Sequence, residues 1–146
     1  MKVLFLDHQG VMYIKKHPNV GTLDFFDPAL VSYLVSLLNK LDVEIVVSSD
    51  WRFWVPFDEM KVFYKRQGIK PPIDYTTHMK KPITMPYAFH RACEINKWLE
   101  KHDDVTHWVA IDDLDMRNYL TNFVKTDPAV GLTLDKIEEV LKYLSD

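Results

Sequence analysis

Apolar residues follow two rhythms along this chain. Short, nearly continuous runs such as Val3-Leu4-Phe5-Leu6, Val43 to Val47 and Val109-Ala110-Ile111 have the character of strands covered on both faces. Between them, apolar positions return every three or four residues, as in helices that bury one side. The pattern predicts five strands: Lys2 to Asp7, Val43 to Ser49, a weak one near Ile73 to Thr77, His107 to Asp112, and Asn122 to Thr126. Four helices alternate with them. Asp27 caps the first, with Pro28 at its first position and Leu30, Val31, Leu34, Leu37, Leu38 and Leu41 at helical spacing. The second runs from about Asp58 to Gln67 and stops at Gly68, ahead of Pro71-Pro72. The third starts near Pro86 and turns Phe89, Ala92, Ile95, Trp98 and Leu99 toward the core. A fourth follows Thr133, with Ile137, Val140, Leu141 and Leu144 on one face. Alternation of this kind implies an α/β protein: a three-layer, Rossmann-like fold around a five-stranded, mostly parallel sheet.

Composition narrows this picture slightly. At 146 residues the chain fits one domain, residues 1–146, able to bury roughly two-thirds of the surface its unfolded form exposes. A net charge of -3 gives no global pull toward polyanions, although Lys15-Lys16-His17 and Lys80-Lys81 are local basic clusters. No apolar run approaches the roughly 20 residues of a membrane span, and the amino terminus lacks a signal-peptide pattern. A cytoplasmic protein with no membrane partner is expected. Cys93, the single cysteine, reads as a small core residue, and the six histidines show no zinc spacing.

In a doubly wound sheet, ligands gather at the carboxyl ends of the strands. Here the first strand ends at Asp7-His8-Gln9-Gly10, the second at Ser48-Ser49-Asp50-Trp51-Arg52, and the fourth at Asp112-Asp113. Two acidic ends and one hydroxyl end in one crevice suit a divalent cation and the phosphoryl group it neutralises. In motif order and strand context, these segments resemble the haloacid dehalogenase (HAD) superfamily. Within it, the chain is similar to the small phosphatase-like domain of bacterial RNA-repair proteins. Phe26-Asp27-Pro28, Arg91 with Glu94-Ile95 and Trp98-Leu99, and Lys125-Thr126-Asp127-Pro128 with Gly131-Leu132-Thr133 carry that closer likeness.

The resemblance implies a HAD-like core and a role for each matching residue. Asp7 becomes the nucleophile that forms an aspartyl-phosphate, and also a ligand of Mg²⁺. Ser48 hydrogen-bonds a phosphoryl oxygen. Asp113 completes the metal site, while Asp112 holds a basic residue, Arg91 in the closer pattern and Lys80 or Lys81 in the general one. The implied catalytic set is Asp7, Gln9, Ser48 and Arg91, and the metal set is Asp7, Gln9, Asp113 and Asp112. Gly10, Ser48, Ser49, Arg52 and Arg91 are the phosphate and substrate contacts, with the Gly10 turn presenting amides to the anion. Trp51 divides evenly between a base-stacking role and plugging the core.

Gln9 is the departure from this pattern. Most phosphatases of the superfamily carry a second aspartate there, which protonates the leaving oxygen and later activates water. An amide does neither, and losing a general acid/base costs about 10²–10⁴ in rate. His8 is the nearest titratable substitute, provided that it does not pack beside the strand. Only some 15 residues separate Val11 from Asp27, room for a flap bearing Lys15, Lys16 and His17 but not for a cap domain. An uncapped crevice admits bulky substrates such as a nucleotide, a nucleic-acid end or a phosphoprotein. The sequence thus reads as a Mg²⁺-dependent phosphohydrolase, with the alternative of an impaired module that binds a phosphate or nucleotide without turnover.

Overall fold

Why the first strand is apolar on both faces is plain in the computed structural model, which describes residues 1–14 and 25–146. Strand β1 (Lys2–Leu6) lies at the centre of a sheet with β2 (Glu44–Val47), β3 (Asp74–Tyr75), β4 (His107–Asp112) and β5 (Phe123–Lys125), in the order β3-β2-β1-β4-β5. All neighbouring pairs are parallel. Successive side chains alternate faces. Leu4 and Leu6 join one core with residues from α1 (Pro28–Lys40), α2 (Phe57–Arg66) and α4 (Leu134–Leu144), whereas Val3 and Phe5 join the other with α3 (Tyr87–Glu100). The edge-on packing of Phe5 against Trp98, with ring centroids 5.4 Å apart, fixes α3 on its face and is worth about 0.5–1.5 kcal/mol beyond burial.

Local signals behave as their chemistry dictates. Asp27 caps α1 by accepting from the Ala29 N–H at 2.9 Å, with Pro28 next in the first turn. Gly68 adopts φ +74° just after α2, where a residue with a Cβ would be strained. Phe89 departs from expectation. It is 38% exposed and packs edge-on against Tyr119 rather than entering either core.

Strand order reverses at β1: the chain moves outward to β2 and β3 on one side, then returns to place β4 and β5 on the other. The crevice between β1 and β4 is therefore the switch point at which such sheets bind ligands. Residues 15–24, including Lys15, Lys16 and His17 of the expected flap, lie outside the described residues. Among the described residues, no helix is long and apolar enough to cross a membrane.

Candidate active site

Asp7 follows β1 directly, its N–H bonded to the Ile111 carbonyl of β4. The chain then turns through Gly10 at φ +78°, and a Cβ there would lie 2.6 Å from Asp113 Oδ2. Glycine is thus required twice, for its backbone angle and for the approach of Asp113. Thr126, at the end of β5, donates from Oγ1 to the Gly10 carbonyl at 2.8 Å and ties the turn to the sheet. The Gly10 N–H itself donates to the Tyr13 carbonyl at 2.7 Å, so any amide that the turn presents to an anion comes from a neighbouring residue. Gly10→Ala is expected to cost about 1–2 kcal/mol from the left-handed backbone alone. It should also displace Asp113, so calorimetry should show weaker Mg²⁺ binding as well as a lower melting temperature.

Asp7, Asp112 and Asp113 each bring a carboxylate oxygen within 4.8 Å of the others. Asp7 is 4% exposed and Asp112 fully buried. Arg91 reaches the cluster from α3. Its Nη1 lies 2.9 Å from Asp112 Oδ2 and 3.4 Å from Asp7 Oδ1, and its Nη2 is 2.8 Å from Asp50 Oδ1. Three carboxylates therefore share one guanidinium, with Asp113 close by in the cluster. Burial, then the charge of Asp112, raises the Asp7 pKa well above the ordinary carboxylate range. Asp112 is also raised by burial, although Arg91 and the Leu114 N–H oppose the shift. Burial disfavours the charge on Arg91, but Asp112, Asp7 and Asp50 outweigh it and hold the guanidinium protonated.

This excess of negative charge and its oxygen-only donor set fit a divalent hard cation. Asp7 and Asp113 are the freer ligands. Asp112 is partly committed, accepting from Leu114 N–H through Oδ1 and from Arg91 through Oδ2, which suits it to orienting the arginine. A pH dependence follows. Both raised carboxyls hold more protons folded than unfolded at pH values above 3.8, so their contribution to stability falls as pH rises toward the folded values. Thermal melts of metal-free protein should lose this contribution progressively as pH rises above about 4, and saturating Mg²⁺ should restore it by favouring the carboxylates.

The cluster opens into a cavity of about 330 Å³ whose lining includes Asp7, Gln9, Ser49, Asp50, Tyr87 and Arg91. A second lobe of about 190 Å³ shares Asp50, Tyr87 and Arg91 and adds Phe53, His78 and Lys81. A roomier cavity, about 390 Å³ between Phe25 and α2, shares no residue with the carboxylate cluster and lacks its convergent chemistry.

Other expected site residues fall in different places. Ser48 is buried, with its N–H on the Leu6 carbonyl, and Ser49 rather than Ser48 lines the cavity. Ser49 Oγ accepts from Trp51 N–H at 3.2 Å, which leaves its hydroxyl proton for an acceptor in the crevice. Arg52 as a phosphate clamp is corrected. Its guanidinium is buried away from the cavity, donating to the Ser49 carbonyl, to Thr76 and to Glu94. Glu94 also accepts from the Met79 N–H, so this buried ion pair ties the 76–79 loop to α3. His8 is corrected too: it is fully buried among Phe26, Trp51 and Tyr64, with Nε2 2.7 Å from the Tyr64 hydroxyl. Burial, followed by the charge of Arg91, pulls its pKa down to about 3, so it stays neutral. Trp51 is largely buried in the same aromatic cluster, yet one edge reaches the cavity. Lys80 is exposed, and Lys81 folds back on the carbonyls of Pro82 and Met85 with its ammonium 4.6 Å over the Tyr87 ring. Of the three basic candidates, only Arg91 reaches Asp7.

Three residues acquire roles that the sequence reading did not assign. Thr126 anchors the Asp7–Gly10 turn, Asp50 completes the arginine's coordination, and Tyr87 lines both lobes. Tyr87 was accessible from spacing, since it stands four residues before Arg91 and so shares its helix face.

The acid at the end of β1, the acid pair after β4, the hydroxyl pair after β2 and the arginine on α3 stand together as one arrangement. No curated protein and no solved structure matches the chain. The family model of the HAD domain in Swiss Army Knife RNA repair proteins matches residues 3–137, and the chain belongs to that family.

Proposed function

We propose that the crevice is a Mg²⁺-dependent phosphohydrolase site acting on a phosphomonoester at a nucleic-acid end. The observation that carries this reading is the convergence of Asp7, Asp112 and Asp113 around the Arg91 guanidinium at the mouth of an open cavity. Asp7 Oδ attacks phosphorus, the ester P–O bond breaks with its electron pair leaving on the alcohol oxygen, which takes a proton from solvent, and an aspartyl-phosphate forms. Arg91 balances charge on the phosphoryl oxygens, and Ser49 offers a hydroxyl donor beside them. Gln9 orients water or substrate by hydrogen bonding. Asp7 and Asp113, with Gln9 and Asp112, would hold the metal, which would supply positive charge for the same oxygens. Family membership supports a nucleic-acid end as substrate, and the second lobe offers the exposed rings of Phe53 and Tyr87 to the adjoining nucleotide.

The test is Mg²⁺-dependent phosphate release from phosphorylated oligonucleotides, abolished by chelation. Release from wild type supports the reading, and its absence from every phosphorylated end refutes it. A second reading, a module that holds phosphate without turnover, draws on Gln9 and on the burial of His8. Tight, metal-dependent binding of a phosphorylated end with no release would favour it. Gln9→Asp is expected to speed release from alkyl phosphates, whose leaving groups are poorest, by up to about 10²-fold. Aryl phosphates should respond far less, as leaving-group kinetics would show.

A further inference from the structure

Hydrolysis of an aspartyl-phosphate needs a group that takes a proton from the attacking water. Gln9 carries no such group, and His8 is buried with its Nε2 on Tyr64. Asp112 is enclosed with both oxygens bonded, and Asp7 and Asp113 face the cation position. Glu94, in the second lobe, is held by Arg52 and the Met79 N–H, and His78 leans on it. Among the described residues, the carboxylate left to face both lobes is Asp50. Asp50 opens the short 3-10 helix after β2, lines both lobes, and has a side chain 66% exposed at the mouth.

We propose that Asp50 is the general base for hydrolysis of the aspartyl-phosphate at Asp7, an inference that rests on the phosphohydrolase reading. The Arg91 guanidinium holds the two carboxylates on either side of itself, with Nη2 2.8 Å from Asp50 and Nη1 3.4 Å from Asp7. Asp7 and Asp50 line the same cavity, so a water drawn into it would meet both the phosphorylated Asp7 and the Asp50 carboxylate. Its oxygen attacks phosphorus while Asp50 takes one of its protons. The bond from phosphorus to the Asp7 oxygen breaks, its electron pair returning to the Asp7 carboxylate. Inorganic phosphate departs, and Asp50 passes the proton to solvent through the open mouth. Substrate specificity is untouched by this role. Two groups that are one residue in most of the superfamily's phosphatases, the turn position after the nucleophile and the proton carrier, are here divided between Gln9 and Asp50.

The rival explanation is that Asp50 only steadies Arg91. Asp50→Asn separates the two, since asparagine keeps an acceptor oxygen for Arg91 but cannot take the proton. In rapid-quench kinetics with an aryl phosphate and Mg²⁺, the dephosphorylation step should slow about 10²–10⁴-fold more than the phosphorylation step. Acid-quenched protein should then accumulate phosphate on Asp7, and Asp50→Glu should recover part of the loss. An unchanged steady state, or equal slowing of both steps, overturns the assignment. Turnover in wild type that survives Asp50→Asn removes this inference alone, whereas no turnover in wild type removes the phosphohydrolase reading with it.

Discussion

Asp7→Asn is expected to suppress phosphoryl transfer by roughly 10⁴-fold or more while leaving the metal-free fold at least as stable as wild type. The two effects have one cause. Asp7 is a buried carboxylate whose charge is disfavoured first by desolvation and then by Asp112, so the isosteric amide relieves both penalties as it removes the nucleophile. Arg91 still keeps Asp112 and Asp50. Thermal melts should therefore show an equal or higher transition without metal, and a smaller rise on adding Mg²⁺ than wild type shows. Phosphate-release assays should show no product. Full activity in the variant would exclude Asp7 as nucleophile, and a large loss of metal-free stability would contradict the electrostatic account of the cluster.

Arg91→Met carries the largest expected stability change. Methionine retains the apolar stem but leaves Asp7 and Asp112 facing each other without a cation, and breaking a buried pair from one side costs about 3–5 kcal/mol. Because both carboxyls then lean further toward their protonated forms, the loss should be greatest at neutral pH and shrink in acid. Urea denaturation at acidic and neutral pH measures this difference. Mg²⁺ should recover part of the lost stability, since it replaces the missing positive charge, but not the activity, since the phosphoryl oxygens lose their guanidinium.

Much of the fold was legible because its signals are local. Asp27-Pro28 starts a helix by capping chemistry, Gly68 ends one by its backbone angle, and two-faced apolar runs mark β1 and β4 as central. The acids at the ends of those two strands were legible for the same reason, since strand ends in parallel sheets converge. His8 was also within reach. Leu4, Leu6 and His8 continue the period of two, and all three pack toward the α1, α2 and α4 side. Arg52 was not, because its partners Thr76 and Glu94 stand 24 and 42 residues away and their approach depends on the whole sheet. Gly10 shows the same limit. Its positive φ follows from residue type, but the loss of its amide to Tyr13 depends on how the turn closes, and its clearance for Asp113 depends on β4.

The account stands most directly on whether phosphate becomes attached to Asp7. Protein mixed with a phosphomonoester and Mg²⁺, quenched during turnover and reduced with borohydride, can be digested and read by mass spectrometry. Modification confined to the peptide bearing Asp7, and lost when Mg²⁺ is chelated, is the predicted result. Sustained phosphate release with Asp7 unmodified, or modification at another residue, would contradict it.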